Sequence, residues 1–354
     1  RALEEDPRYA LAFAGLGEAY SYKYYYTKDS AWVAKSRSAC EQAISLQGAE
    51  AEGHICLGQA LGRIGEYEKA AVQFRKAIDL APTNDLAYDG LADAYEGSGN
   101  VQEAEKTYLR AINLRPNYSA GYNAFGDFYF NHGRYAEAAR MFERMVEIAP
   151  DSEVGYQNLG GVYVTQGRYA EAIPLLERSV SIRPTAGASS NLGTAYFDLR
   201  RYLDAARLYE EAVKLSSEEF ELWGNLGDAY YWAPGMRDKA ADAYRQAISL
   251  ASRDLTVNSR DAKTLSYVAY YHAMLGENHW ALSTLQRAVR VDPHNVEMLF
   301  NAALITNQVG DTARTLDWLE KALAAGLPRA TVENAPNFDA LRDNPRFQAL
   351  MKKD

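Results

Sequence analysis

The chain has 354 residues, of which 47% are hydrophobic, and it carries a formal net charge of −9. This acidic balance argues against nucleic acid as the main partner, because phosphate backbones are bound through an excess of Lys and Arg. No apolar run reaches the length of a membrane span, which argues against direct insertion into a bilayer.

Four prolines mark the organisation of the chain, because they stand at a constant interval of 34 residues: Pro82, Pro116, Pro150 and Pro184. The residues before each proline repeat with it, as in AVQFRKAIDLAP and EKTYLRAINLRP. A fixed period of this size indicates a stacked array of repeats rather than a catalytic domain.

Residues 51–84 show what one repeat encodes. Two segments within this range place apolar or small residues three and four positions apart, which predicts two helices, A and B. Gly65 lies between the segments and is predicted to form the turn. Pro82 ends helix B, because its ring cannot continue a helix.

Two positions of the repeat hold small side chains, which predicts that helix A and helix B approach each other closely. A glycine inside a helix costs about 1 kcal/mol relative to alanine, so its recurrence needs a packing reason. The position in helix A holds Gly58, Ala92, Gly126, Gly160, Gly193 and Gly227, and the position in helix B holds Ala70, Ala104, Ala138, Ala172 and Ala205. Large aromatic side chains flank these positions, which accounts for the tyrosine-rich composition.

The order of residues within one repeat resembles the tetratricopeptide repeat. In residues 119–152 this order is Tyr122, Phe125, Gly126, Tyr129, Gly133, Tyr135, Ala138, Phe142 and Pro150. The resemblance implies an all-α fold, a right-handed superhelical solenoid of about nine stacked helix–turn–helix repeats with a C-terminal capping helix. We expect the array at 10–327, the end of a preceding repeat at 1–9 and a cap at 328–354. The repeats are expected to start near residues 10, 51, 85, 119, 153, 186, 220, 262 and 296.

Two of the intervals between repeats are longer than the rest. The segment YSYKYYYTKDSAW carries seven extra residues and is predicted to lengthen the A–B hairpin of repeat 1, at 21–32. In repeat 7, one extra residue lies in the turn WAPGMRD, and seven lie at 252–261, where a polar loop is predicted after helix B. Loops between repeats absorb insertions because they leave the stacked core intact.

The two ends of the chain indicate a larger context. The chain lacks an initiator Met and begins with RALEEDP, which matches the end of a helix B, so we expect it to be part of a longer protein. The tail NFDALRDNPRFQALM is similar to the ending of repeat regions in large bacterial signalling proteins, which carry a serine/threonine kinase, a nucleotide cyclase or a DNA-binding regulator. Its segment NPRFQALMKK is predicted to form a final helix that covers the apolar end of the array.

No motif for catalytic chemistry occurs in the sequence. It contains no phosphate-binding glycine loop, no HExxH, no paired CxxC and no GxSxG. The five histidines are scattered, so no metal site and no cofactor are expected, and Cys40 and Cys56 are predicted to be buried free thiols. We therefore expect a non-catalytic protein. A cytoplasmic location is the main expectation, and an extracytoplasmic part of a membrane-anchored protein is the alternative.

The resemblance also implies where a ligand binds. In this family helix A lines the concave side of the superhelix, and positions two, five, nine, twelve and thirteen of each repeat point inward. Carried over to this chain, those positions and the asparagines at position six predict a peptide groove. Its residues are Asp89, Asp93, Glu96, Asn123, Asp127, Phe130, Asn131, Gln157, Asn158, Asn191, Phe197, Asp198, Asn225, Asp228, Tyr231 and Trp232.

Two patches follow from this assignment, an acidic one in repeats 3 and 4 and an aromatic and amide one in repeats 4 to 7. Clustered carboxylates favour a cationic ligand and exposed aromatics supply anchor pockets, which predicts a peptide with Lys or Arg near aliphatic residues. Positions five and nine hold no Lys or Arg in any repeat, which argues against capture of an acidic peptide tail. The alternatives are that the acids form a solvated face and that the aromatics pack between repeats.

Three functions stay open at this point. The first is a protein-interaction scaffold that holds a partner segment in its groove. The second is a regulatory or self-association module that dimerises an attached kinase, cyclase or transcription regulator. The third, suggested by the asparagines at position six, is the substrate-recruiting region of a glycosyltransferase.

Overall fold

The structure, a computed structural model, describes residues 6, 8–27, 29–46 and 50–352. The described residues form paired helices and no strand, which confirms the all-α prediction of about nine helix–turn–helix repeats. Helix A of repeats 1 to 9 is α1 (Ala10–Thr27), α3 (Glu50–Arg63), α5 (Asp85–Gly97), α7 (Ser119–Asn131), α9 (Glu153–Thr165), α11 (Ala186–Asp198), α13 (Phe220–Trp232), α15 (Ala262–Met274) and α17 (Val296–Gln308). Helix B is α2 (Ala31–Ser45), α4 (Tyr67–Leu80), α6 (Val101–Leu114), α8 (Tyr135–Ile148), α10 (Tyr169–Ile182), α12 (Tyr202–Leu215), α14 (Arg237–Val257), α16 (Asn278–Val291) and α18 (Thr312–Ala324).

The repeats fall into two compact units. The N-terminal unit extends to Pro150 and holds repeats 1 to 4, and the C-terminal unit begins at Asp151 and holds repeats 5 to 9 with the tail. Within each unit, helix A packs against its own helix B, and helix B packs against helix A of the next repeat. Each repeat therefore buries its apolar faces against its neighbours, as expected of a linear array.

The close approach of helix A and helix B is confirmed by the space around the helix A glycines. A Cβ atom at Gly126 would overlap the ring of Phe142, and one at Gly160 would lie 2.6 Å from the side chain of Leu176. Ala138 in helix B is completely buried. The small residues thus make room for one large side chain that helix B inserts between the two helices.

The A–B turns need one residue in the left-handed region of backbone space. Glycine supplies it in repeats 2 to 5, with φ of +79° at Gly65 and +80° at Gly99, and again in repeats 7 to 9. Repeat 6 differs, because its turn places Arg200 there with φ of +62°. A side chain is disfavoured in this region because its Cβ crowds the backbone, so Arg200 stands out among the described turns.

The insertion in repeat 1 lengthens the A–B hairpin, as predicted, and does so by extending a helix. The polar loop predicted at 252–261 is wrong for its first part, which is helical. Helix α1 runs for 18 residues, against 13 in α5, so most of the tyrosine-rich segment is helical. Helix α14 runs for 21 residues, against 14 in α12, and takes up 252–257 of the segment predicted as a polar loop, while 258–261 form the turn that follows it. Neither segment contains a glycine or a proline, so each helix can continue into its segment before it ends.

The prediction of two free thiols is also wrong, because Cys40 and Cys56 form a disulfide. Cys40 lies on α2 and Cys56 on α3, their Cα atoms are 5.6 Å apart, and both side chains are buried. Gly17 on α1 lies against both sulfurs, so a side chain at that position would collide with the bond. The apolar helix faces were enough to predict that both cysteines are buried. Their pairing could not be predicted in this way, because it depends on how α3 stacks on α2.

The chain ends in a short segment outside the helix pairs. It contains α19 (Arg329–Asn334), a 3-10 helix (Pro336–Leu341) and α20 (Pro345–Lys352). Phe338, Leu341, Phe347 and Leu350 are buried within it. Helix α20 packs on α18, and the 3-10 helix packs on α17.

Candidate functional site

A cavity of about 420 Å³ opens in the N-terminal unit where helices α1, α3 and α5 face one another. Close helix packing leaves glycines in its wall, and aromatic rings from α1 and α4 complete it. The lining residues are Tyr22, Gly58, Gln59, Gly62, Arg63, Tyr67, Phe74, Leu86, Asp89, Gly90, Asp93 and Ala94. The cavity therefore combines an apolar surface with two carboxyl groups.

Asp89 contributes a half-buried carboxyl group to this wall. Its Oδ1 atom is buried and accepts no hydrogen bond from any described residue. Burial, helped by the nearby carboxyls of Asp93 and Asp85, raises the pKa of Asp89 to about 7. A buried carboxylate oxygen without a hydrogen-bond donor is costly, so this position favours either a proton or an incoming cation.

Three further carboxyl groups continue the same wall along α5 and α7. The Tyr108 hydroxyl donates a hydrogen bond to Asp93 at 2.5 Å and a longer one to Glu96 at 3.3 Å. Asp127 accepts a hydrogen bond of 2.9 Å from the Asn123 amide. We call Asp89, Asp93, Glu96 and Asp127 the acidic groove.

The acidic groove raises the pKa of its own members. Desolvation raises the pKa of Asp93 even though the hydrogen bond from Tyr108 lowers it. Desolvation also raises the pKa of Asp127 to about 6, and the charges of Glu96 and Asp93 add to the rise. Arg63 offsets part of this charge at Asp93 and stacks over the Tyr22 ring at 4.3 Å. The groove still carries an excess of negative charge, which attracts cations.

The predicted aromatic residues are half-buried, and each packs on a neighbouring ring. In the N-terminal unit Phe130 meets Tyr135 edge to face, with ring centroids 5.4 Å apart. In the C-terminal unit Phe197 meets Tyr202 in the same way at 5.2 Å. Tyr231 packs on Trp232 at 5.3 Å. These ring contacts stabilise the A–B turns. The exposed part of each ring stays accessible to a ligand.

The predicted amides make different contacts from one repeat to the next. Gln157 accepts a hydrogen bond of 2.6 Å from the Thr185 hydroxyl. The Asn191 amide lies against Gly161. Asn158 and Asn225 are half-buried, and Asn131 is exposed. At the equivalent of position six in repeat 9, the buried Asn301 donates a hydrogen bond of 2.9 Å to Ser266. The series thus includes members that support neighbouring helices.

Two predicted groove carboxylates in the C-terminal unit are bonded to tyrosines. Asp228 accepts hydrogen bonds from Tyr244 at 2.6 Å and Tyr270 at 2.8 Å. Asp198 accepts one from Tyr169 at 2.8 Å. Desolvation raises the pKa of each of these carboxyls to about 6. Because one oxygen of each already has a tyrosine donor, they differ from Asp89 in the acidic groove.

The tail contacts residues of the C-terminal unit, some of them at positions that were predicted to point inward, and sequence reasoning missed these contacts. Phe338 lies 6.1 Å from Phe300 at position five of repeat 9, edge to face. The Asn307 amide at position twelve donates a hydrogen bond of 2.7 Å to the backbone oxygen of Asn337. Arg200 donates two hydrogen bonds of 2.6 Å to the two oxygens of Asp339. The available signal in the sequence was an arginine at a turn position that holds glycine elsewhere.

Neither a metal cluster nor a membrane span is found in the part of the chain that the structure describes. No three His, Cys, Asp or Glu side chains there are grouped to hold a metal ion. No helix there is both long and apolar enough to cross a membrane.

Comparison with known proteins agrees with the repeat architecture. Family profiles described as tetratricopeptide repeat match residues 65–124, 118–185 and 190–254. Among solved structures, the APC/C hetero-tetramer Cut9–Hcn1 superposes with a TM-score of 0.55 at 15% identity, covering 75% of this chain and 51% of that one. At this identity the likeness shows the fold alone.

Two curated relatives match over part of the chain. The BBSome complex member BBS4 of Bos taurus is 29% identical over 36% of this chain and 23% of its own length. The DnaJ homolog subfamily C member 7 homolog of Dictyostelium discoideum is 28% identical over 45% of this chain and 28% of its own. The chain thus spans about a quarter of the curated relatives that it matches.

Proposed function

The chain belongs to the tetratricopeptide repeat family, and from this premise we propose that its acidic groove binds a cationic segment of a partner protein. The repeats and the relatives support a protein-interaction scaffold in general. The proposal adds the place, in repeats 2 to 4 of the N-terminal unit, and the chemistry, a Lys or Arg beside aliphatic side chains.

The observation that carries the proposal is the unpaired Asp89 carboxyl in the cavity wall. A guanidinium or ammonium group entering the cavity would supply the missing hydrogen-bond donor and lower the pKa of Asp89. The strength of such a charge-assisted bond grows where water is excluded, as it is at this buried oxygen.

The rest of the cavity suits the stem of the same side chain. Phe74 and Tyr67 provide apolar surface next to Asp89, and Leu86 at the mouth is 45% exposed. Lys and Arg pack their methylene stems on such surfaces while the charged end reaches a polar partner. Leu86 offers a contact for the aliphatic residue beside the cation. An acidic peptide would be repelled by the same groove.

The proposal is tested with a fluorescein-labelled peptide in which Lys and Arg alternate with Leu, titrated into the full chain and followed by anisotropy. The double variant Asp93→Lys with Asp127→Lys should weaken binding by about a hundredfold or more, because two attractive charges become repulsive. The matched control is Glu68→Lys with Asp79→Lys, which makes the same charge change at exposed positions of α4. Equal weakening by both pairs, or by neither, would refute the groove as the site.

We further propose that this unit resides in an oxidising compartment, the extracytoplasmic alternative given above. The Cys40–Cys56 bond supports this location, because disulfides persist outside reducing compartments. Trapping the thiols with a maleimide during isolation from the native source tests it. Two labelled cysteines per chain would count against the proposal, and none would support it.

A further inference from the structure

The starting observation is the conformation of Arg200 in the A–B turn of repeat 6. It is the one described non-glycine residue with a positive φ, at +62°, in a position that glycine fills in the turns of the neighbouring repeats. A side chain held in the left-handed region indicates that it makes an interaction that glycine could not make.

That use is visible in the tail. The two terminal nitrogens of Arg200 donate to the two oxygens of Asp339, 139 residues later, at 2.6 Å each. This fork geometry is specific to a guanidinium facing a carboxylate. Both side chains are nevertheless about 40% exposed, and an ion pair with that much access to water is weak.

Residues 329–343, which we call the strap, contact residues from several repeats of the C-terminal unit, among them Tyr169, Arg200 and Phe300. Beyond the Arg200 pair, the Asn334 amide donates to the Tyr169 hydroxyl at 2.9 Å, and Phe338 packs against Phe300. The following helix α20 has a contact of its own with α18. Its buried Phe347 also lies 6.4 Å from Phe338 of the strap, ring centre to ring centre. A strap that detached would therefore stay tethered close to its site.

The surface beside the ion pair holds two donors that the strap leaves unused. The hydroxyl of Tyr202 and the indole nitrogen of Trp232 are buried, and neither has a hydrogen-bond partner among the described residues. Their rings lie 6.2 Å apart. Burial raises the pKa of Tyr202, while the charge of Arg200 lowers it and the charge of Asp339 raises it, which places this phenol near the pair. A ligand with acceptors at this point would bind better than the strap does.

We propose that the strap is an exchangeable, autoinhibitory occupant of this face, displaced by a partner segment that carries Asp or Glu next to Phe. The partner's carboxylate takes over Arg200, its ring takes the place of Phe338, and its backbone carbonyls accept from Tyr202 and Trp232. The site lies in another unit and selects the opposite charge to the acidic groove, so it stands or fails independently.

The experiment releases the strap by a substitution within the strap itself, so that Arg200 remains available to bind the probe. The variant is Asp339→Arg in the full chain, and the control is Asp343→Arg, the same charge change at an exposed strap residue. The probe is a labelled peptide of residues 329–344, followed by anisotropy. We expect the probe to bind the Asp339→Arg chain at least about tenfold more tightly than it binds the wild type or the control. A probe with Asn in place of Asp339 should lose that gain.

A second variant separates an exchangeable strap from a fixed part of the fold. Arg200→Gly restores the residue that the turn prefers and removes the ion pair. We expect hydrogen exchange in residues 335–341 to become faster while the thermal midpoint stays equal or rises. A lower midpoint in both Arg200→Gly and Asp339→Arg, with no binding of the probe, would overturn the proposal. Unchanged exchange in both variants would overturn it as well.

Discussion

The hydroxyl of Tyr108 donates a hydrogen bond of 2.5 Å to Asp93, and this bond joins the buried core of repeat 3 to the acidic groove. Tyr108 belongs to helix B and is 2% exposed, so its ring fills the space between the helices while its oxygen reaches the groove wall. The position of one groove carboxylate is therefore set by core packing rather than by the surface.

Replacing Tyr108 by Phe should destabilise the N-terminal unit by about 1 kcal/mol, because Asp93 loses the short hydrogen bond from a side chain that belongs to the core. The pKa of Asp93 should rise further, since the lost bond favoured the charged form. Urea denaturation measures the first effect, and carboxyl titration by NMR measures the second. The control is Tyr88→Phe, which removes a longer bond of 3.3 Å at a more accessible hydroxyl. Equal losses in the two variants would contradict the role given to Asp93.

The stability of the N-terminal unit should fall as the pH rises from about 4 to about 7. The pKa of Asp89 is raised from 3.8 to about 7 in the folded chain, so between these values the folded state binds more protons than the unfolded state. The loss should be on the order of 1–3 kcal/mol, given the partial burial of the group. Asp89→Asn should remove this part of the slope when denaturation is measured across the same range. A slope that is identical in the variant would assign the dependence to other groups.

Removing the Cys40–Cys56 bond should destabilise repeats 1 and 2 by about 3 kcal/mol, the value expected for closing a loop of some 15 residues. The variant is Cys40→Ala with Cys56→Ala, which also avoids placing hydroxyl groups in a buried site. Hydrogen exchange read repeat by repeat should show the loss in α1 to α3 and none in α15 to α18. Unchanged protection in the first three helices would show that stacking alone holds them.

Replacing Gly126 by Leu should destabilise the array by about 1–3 kcal/mol, because the new side chain overlaps the Phe142 ring. Gly15→Leu is the matched control, because a Cβ at that helical position meets no neighbour. Leucine is a better helix former than glycine, so the control should be neutral or stabilising. Thermal denaturation followed by circular dichroism compares the two, and equal midpoints would refute the close approach of the helices.

The repeat pattern was enough to predict the helix pairs, because its information is local. The spacing of apolar residues, Gly65 in the turn and the proline after helix B each act within a few residues. The extra residues in α1 and α14 could be counted from the sequence, but their secondary structure could not be predicted. The spacing of the repeats gives the length of an insertion and not its conformation. Only the absence of glycine and proline in those segments pointed to the observed outcome.

The features that were missed depend on contacts between distant parts of the chain. The Cys40–Cys56 bond needs α2 and α3 to be stacked, and the Arg200–Asp339 pair joins residues 139 positions apart. Which groove carboxyl is left without a donor was equally hidden, because Asp93 and Asp228 gain tyrosine donors from other helices while Asp89 does not. Position in the repeat predicts a direction for a side chain but not its neighbours.

The disulfide between α2 and α3 changes the order in which the array can come apart. In a linear array each repeat opens against its immediate neighbour, so fraying proceeds one repeat at a time. Cys40 and Cys56 join two consecutive repeats covalently, and Gly17 packs α1 onto the bond. Under pulling force or in denaturant, repeats 1 and 2 should therefore open together in one step, and the segment between Cys40 and Cys56 should extend only after a reductant breaks the bond.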